Sequence, residues 1–122
     1  MNKIYLVDDQ PISNFITKKL LEVEGFQGAI QDFTDPTKAF RSILGDKNAL
    51  IFLDLNMPEM NGWEFMEAMK NKKIFHRIII LTSSTSEIDK KRAKEYPCVI
   101  KYLEKPLNKR KFLEVSSFLK VS

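Results

Sequence analysis

Five polar residues in this chain stand where their types and surroundings could do chemistry: Asp8, Asp9, Asp54, Thr82 and Lys105. Each follows an apolar run. Ile4-Tyr5-Leu6-Val7 precedes the Asp8-Asp9 pair, Ala49-Leu50-Ile51-Phe52-Leu53 precedes Asp54, Ile78-Ile79-Ile80-Leu81 precedes Thr82, and Val99 to Leu103 comes shortly before Lys105-Pro106. Three acids brought together repel one another, and removing them from water is costly, so a purely structural role is hard to justify. A hard divalent cation offsets the repulsion. Carboxylates, a backbone carbonyl and waters suit Mg2+, which prefers near-octahedral oxygen. The chain has one His and one Cys, so no zinc cluster can form. Lys105 adds a fixed positive charge that can pair with Asp54 or with an anion that replaces it. Carboxylate, Mg2+, hydroxyl and ammonium together suit stabilisation of a phosphoryl group in transfer, with a carboxylate oxygen attacking in line. Asp54 is the best nucleophile candidate because it ends the most strand-like run.

These residues meet only if the elements between them fold in a particular way. Ile4 to Val7 is a buried strand. Pro11 opens a helix where its missing N–H costs nothing, Ile12, Ile16, Leu20 and Val23 fall on one helical face, and Gly25 stops it. Ala29 to Phe33 is a weaker strand. A helix follows Asp35-Pro36, with Ala39, Phe40, Ile43 and Leu44 apolar, and ends at Gly45. Ala49 to Leu53 is apolar on both faces, as a central parallel strand covered by helices must be. The loop Asn56 to Asn61 leads to a helix from Gly62 to about Lys70. Arg77 to Leu81 is another buried strand. Ser84-Thr85-Ser86-Glu87 has capping-box spacing, which predicts a helix to Tyr96. Val99 to Leu103 has the character of an edge strand, and a last helix from about Leu107 to Lys120 buries Phe112, Val115, Phe118 and Leu119. Strict alternation of five strands and five helices implies right-handed crossovers and a parallel sheet with helices on both faces. Such sheets gather function at the carboxyl ends of their strands, where the five polar residues lie.

The chain has 122 residues, enough for one domain. No apolar run approaches the ~20 residues of a membrane span, and Asp8 comes too early for a signal-peptide core. A single cysteine, Cys98, fits a reducing compartment, so a cytoplasmic location is expected. Cys98 reads as a small core residue and His76 as a surface or structural one. The net charge of +4 is uneven: six Lys/Arg face nine Asp/Glu in residues 1–61, but fourteen face seven in residues 62–122. A solvated helix face carrying Lys90, Lys91, Arg92 and Lys94 accounts for much of the excess. No glycine-rich phosphate loop, dinucleotide fingerprint or G-x-S-x-G elbow occurs.

The sequence resembles a receiver domain of the two-component response-regulator family. The match rests on Val7-Asp8-Asp9, on Leu53-Asp54-Leu55-Asn56-Met57-Pro58 with Asn61-Gly62, on Leu81-Thr82-Ser83, and on Lys105-Pro106. It extends over essentially the whole chain, residues 1–122. The resemblance implies a flavodoxin-like, doubly wound three-layer fold with a five-stranded parallel sheet in the order 2-1-3-4-5. It also implies phosphorylation of Asp54 from a phosphohistidine on a kinase or phosphotransfer protein. Asp8, Asp9, Asp54 and the backbone carbonyl of Asn56 would hold Mg2+, Lys105 would bind a phosphoryl oxygen, and the Lys105–Pro106 bond would be cis. Thr82 would move to the phosphoryl group, and Tyr102 would turn inward as the switch aromatic. Asn56 and Ser84 match positions that tune dephosphorylation. The segment from Thr82 to Lys105 is one residue longer than is common. Counting back from Lys105 would select Ser83, but the run Ile78 to Leu81 leads straight into Thr82, which places the extra residue near Pro97. Asn61 stands where many relatives have Asp.

The expected function is a stand-alone receiver that acts as a phosphorylation-dependent protein-binding switch and not as a multiple-turnover enzyme. The surface of the fourth helix, fifth strand and fifth helix, with Lys90, Lys91, Lys94, Lys101 and Lys109, is the expected face for a downstream partner. Its charge suits an acidic or amphipathic segment. A monomer or weak dimer is expected, without membrane insertion or direct nucleic-acid contact. A phosphatase of the haloacid-dehalogenase type would need a second Asp where Asn56 stands. A nucleic-acid-binding module would need a recognition motif that the basic half lacks. A receiver fold without phosphorylation fits poorly with intact Asp8, Asp9, Asp54, Thr82 and Lys105.

Overall fold

The computed structural model describes residues 3–119. Strands β1 (Lys3–Val7), β2 (Ala29–Phe33), β3 (Leu50–Leu53), β4 (Arg77–Thr82) and β5 (Val99–Glu104) alternate with helices α1 (Pro11–Val23), α2 (Pro36–Ile43), α3 (Gly62–Asn71), α4 (Glu87–Ala93) and α5 (Lys109–Leu119). Every strand pairing is parallel and the sheet order is β2-β1-β3-β4-β5, as the alternation and the resemblance predict. The wholly apolar β3 takes the centre and is buried on both faces. The polar-interrupted β2 takes one edge and β5 the other.

Alternation of side chains along the strands divides the core in two. Val7, Ile51, Leu53, Ile78 and Ile80 point to one face, where Ala39, Phe40 and Ile43 of α2, Phe65, Met66 and Met69 of α3, and Ala93 of α4 cover them. Ile4, Leu6, Leu50, Phe52, Ile79 and Leu81 point to the other, covered by Leu21 of α1 and Phe112, Val115 and Leu119 of α5. Phe118 is only partly buried, and Lys120, the expected end of the last helix, lies outside the described residues. Among the described residues, no helix is long and apolar enough to cross a membrane.

Three expectations are corrected. Helix α1 does not bury Ile12, Ile16 and Val23: Ile12 and Val23 are 65% and 77% exposed, Leu20 is partly buried, and the inward residues are Asn14, Thr17 and Leu21. The Asn14 side-chain amide donates to the carbonyls of Asp8 (3.2 Å) and Phe33 (3.1 Å), which sets the helix rotation against its apolar periodicity. Helix α4 ends at Ala93, short of Tyr96, because a residue before proline is driven out of helical geometry and Pro97 follows. Its N-cap is Ser86, which accepts from Asp89 N–H, and not Ser84. The extra residue near Pro97 is absorbed further along: Ile78 pairs with Val99 but Ile79 pairs with Lys101, so β5 carries a bulge at Ile100. That slip keeps Thr82 opposite Glu104 at the end of the ladder.

His76 is structural. Its buried ring accepts from Ala49 N–H through Nδ1 (3.0 Å), and its Nε2 lies 3.0 Å from the Ile43 carbonyl. Cys98 is half-buried against the α2–α3 core, where burial raises its thiol pKa.

Candidate functional site

The parallel register builds the site. Val7 and Leu53 are paired neighbours on β1 and β3, and Asp54 N–H donates to Val7 O (3.0 Å), continuing the ladder by one step. Asp8 and Asp54 therefore leave the sheet side by side, 5% and 4% exposed. Asp9 follows, half-buried. One carboxylate oxygen from each of Asp8, Asp9 and Asp54 lies within 4.8 Å of the others. Gln10 N–H donates to Asp8 Oδ1 (2.9 Å) and Asn56 N–H to Asp54 Oδ1 (3.4 Å), so both acids are oriented from their own backbones.

Lys105 arrives from the other side of the rim. Its N–H donates to Thr82 O (2.8 Å), one step past the β4–β5 ladder, and the bond to Pro106 is cis, as expected. The ammonium then sits between two acids, with Nζ 2.5 Å from Asp8 Oδ2 and 3.3 Å from Asp54 Oδ2. Thr82 is fully buried at the end of β4, whereas Ser83 is exposed. The Thr82 oxygen accepts from Ser84 N–H (3.3 Å). Tyr102 is half-buried on β5, and its hydroxyl donates to Ser84 O (3.0 Å). Burial raises the Tyr102 phenol pKa.

Burial is the largest influence on Asp54 and raises its pKa, with the negative charge of Asp8 acting the same way. The Lys105 charge, the Thr82 hydroxyl and Asn56 N–H oppose that rise without cancelling it. Burial acts to lower the Lys105 pKa, but the hydrogen bond to Asp8 and the charges of Asp54 and Asp8 outweigh it and leave it raised. One ammonium against three acids leaves the rim short of positive charge, and its free donors are carboxylate oxygens. That donor set fits a hard divalent cation such as Mg2+.

Two supports were not legible as site residues. Asn14 holds the Asp8 carbonyl, yet in sequence it looks like one more polar position on a helix. Gly62 opens α3 against the Asp54 backbone: its N–H donates to Leu55 O (3.0 Å), and a Cβ there would stand 2.6 Å from Asp54 O. The pairing of Asn61 with Gly62 directly before a helical pattern was the available signal. Asn61 completes a reciprocal capping box with Glu64 (2.9 Å in each direction), which anchors that helix start.

A doubly wound parallel sheet with three acids, a buried hydroxyl and a lysine on its carboxyl rim defines the flavodoxin-like receiver architecture. The chain belongs to the response regulator receiver domain family, which it matches over residues 4–116, and is thus a receiver domain of two-component signalling. It is 36% identical over 115 residues to the transcriptional regulatory protein CpxR of Escherichia coli, a match that covers 93% of this chain and 47% of that protein. The chain thus spans about half the length of the curated relatives it matches first. Among solved structures, the chemotaxis protein CheY4 of Vibrio cholerae superposes with a TM-score of 0.80 at 27% identity, covering 98% of each chain. A response regulator receiver protein of Dyadobacter fermentans superposes at 0.83 with 25% identity over the full length of both.

Proposed function

We propose that this receiver, a single domain across residues 1–122, takes a phosphoryl group onto Asp54 and signals through a changed protein-binding surface. The carrying observation is the Lys105 ammonium held between Asp8 and Asp54 while Asp9 completes a carboxylate trio within 4.8 Å. An Asp54 carboxylate oxygen attacks phosphorus on a phosphohistidine. The phosphorus–nitrogen bond breaks, its electron pair returns to the imidazole, and that nitrogen takes a proton from solvent. Lys105 is already placed to move from its carboxylate partners to a phosphoryl oxygen. The Thr82 hydroxyl, buried beside Asp54, donates to another. Asp8, Asp9, Asp54 and the Asn56 carbonyl would hold Mg2+, which when bound offsets the charge of the acids and of the phosphoryl oxygens. Asn56, exposed at the loop mouth, and Ser84 govern how readily water reaches the acyl phosphate, and Tyr102 follows Thr82 as the switch. The chain assists its own phosphorylation and dephosphorylation but does not turn over a substrate repeatedly.

The donor is a histidine kinase or histidine phosphotransfer protein. Ile12, Phe15 and Ile16 form an exposed apolar stripe on α1, the helix that leaves the acidic rim through Asp9 and Gln10, and they offer it a docking surface. The downstream partner is placed on α4, β5 and α5, where a groove lined by Lys91, Lys94 and Arg110 suits an acidic segment. A cytoplasmic setting follows from such a donor. Incubation with Mg2+ and acetyl phosphate should add the mass of one phosphoryl group, and Asp54→Asn should abolish the gain. A gain that persists in Asp54→Asn, or none in the wild type, would overturn the reading.

A further inference from the structure

Ser84 joins three elements. Its N–H donates to Thr82 Oγ1 at the end of β4 (3.3 Å), and its carbonyl accepts from the Tyr102 hydroxyl on β5 (3.0 Å). Its own hydroxyl donates to Asp89 Oδ2 on α4 (2.7 Å), while the same oxygen accepts from Ser86 N–H (3.2 Å). The neighbours Ser83, Thr85 and Ser86 are exposed, so packing does little to hold this loop. Asp89 is the one ionised group tied to it and forms no ion pair among the described residues. Its bond to Ser84 is short and charge-assisted, the strongest class available to a hydroxyl donor.

We propose that Asp89 is a positioning residue for phosphoryl transfer at Asp54, acting through Ser84 on Thr82. The proposal rests on the functional reading above. A threonine hydroxyl carries one proton, and that proton is useful only if it points at the reacting group. Ser84 N–H occupies one lone pair of Thr82 Oγ1, so the O–H is turned away from the loop and toward the Asp54 side. A donor into the oxygen also strengthens the hydrogen bond that the hydroxyl gives. The direction of that N–H depends on the Ser84 peptide plane. Asp89 fixes it from the side-chain end and Tyr102 from the carbonyl end.

The test is the rate at which Asp54 gains a phosphoryl group from acetyl phosphate at saturating Mg2+, followed by intact mass. Asp89→Ala should slow it about three- to tenfold, the effect of losing one charge-assisted hydrogen bond. Asp89→Asn keeps an acceptor oxygen and should recover most of the rate. Ser84→Ala removes the same bond from the neutral side, together with the acceptor for Ser86 N–H, and leaves the Asp89 side chain in the first turn of α4. It should slow transfer to a similar degree, and the double variant Ser84→Ala/Asp89→Ala should be no slower than Ser84→Ala. In a Thr82→Ala background, Asp89→Ala should have no further effect. A wild-type rate in Asp89→Ala, with or without a lower Tm, would show that the residue serves only the helix start and would overturn the proposal. Equal slowing with and without Thr82 would overturn it as well. A wild type that takes no phosphoryl group defeats the functional reading itself, an outcome distinct from both.

Discussion

At Asp54, burial and the charge of Asp8 both act against the ionised form. A carboxyl whose folded pKa is raised above the ordinary 3.8 contributes stability below that value and loses it as pH rises through the raised one. At pH 7 the ionised group therefore lowers stability. Asp54→Asn should melt several degrees higher than the wild type in chelator at pH 7, as relief of about 1 kcal/mol of repulsion would give. The gap should close as the buffer is taken toward pH 4, where the wild-type carboxyl becomes protonated. Calorimetry across that range is the check, and a gap that is flat or reversed would refute the account. At the opposite end of the sheet, His76 answers a different demand. Ala49 N–H needs an acceptor, which Nδ1 supplies, so the ring is the tautomer with its proton on Nε2, where it faces Ile43 O as a second donor beside Asp46 N–H. His76→Ala leaves Ala49 N–H buried without an acceptor, while Ile43 O keeps its bond from Asp46 N–H (3.2 Å); it should cost about 1–3 kcal/mol, read by urea denaturation. The tautomer itself is visible in the ring nitrogen shifts of the wild type.

At the scale of elements, the start of α3 packs against the loop that follows Asp54. Gly62 is required there for close approach and not for an unusual φ. A Cβ would meet Asp54 O at 2.6 Å and Leu55 Cα at 2.9 Å, and backbone atoms cannot step aside. Gly62→Ala should cost about 1–3 kcal/mol by denaturant unfolding. It should also slow the proposed phosphorylation of Asp54 more than that loss of folded protein explains, because the displaced atoms belong to Asp54 and Leu55. A variant as stable and as readily phosphorylated as the wild type would show that the helix start has slack. Helix α1 makes the complementary point. Its rotation serves two backbone carbonyls through Asn14 and leaves an apolar stripe facing water.

At the scale of the whole molecule, three surface features stand out around the sheet. The acids sit on the rim, Ile12, Phe15 and Ile16 lie on α1 beside it, and the lysines gather around α4 and β5. Some of those lysines are already paired: Lys90 lies 3.2 Å from Glu87 and 3.3 Å from Glu104, and Lys101 lies 3.1 Å from Glu114. Exposed pairs of this kind contribute little to stability. The stripe gives a sharper test. Phe15→Ser removes a side chain that is 57% exposed, so thermal stability should change by no more than about 0.5 kcal/mol. Transfer from a phosphorylated histidine phosphotransfer protein should nonetheless slow about tenfold or more, as loss of a central aromatic at an interface does. Unchanged transfer would remove α1 from the donor surface.

The order of elements, the parallel sheet and the placement of Asp8, Asp9, Asp54, Thr82 and Lys105 at strand ends were all legible along the chain. A buried strand must be apolar throughout, so the residue that breaks the run marks the rim. That Thr82 and not Ser83 ends the buried run was legible for the same reason. The face that α1 buries, the bulge at Ile100 that keeps Thr82 in register, and the convergence of Thr82, Tyr102 and Asp89 on Ser84 were not. Each depends on partners far away in sequence. Hydrophobic periodicity records what a segment could bury, while unpaired backbone carbonyls and strand register, which exist only once the sheet has formed, decide what it does bury.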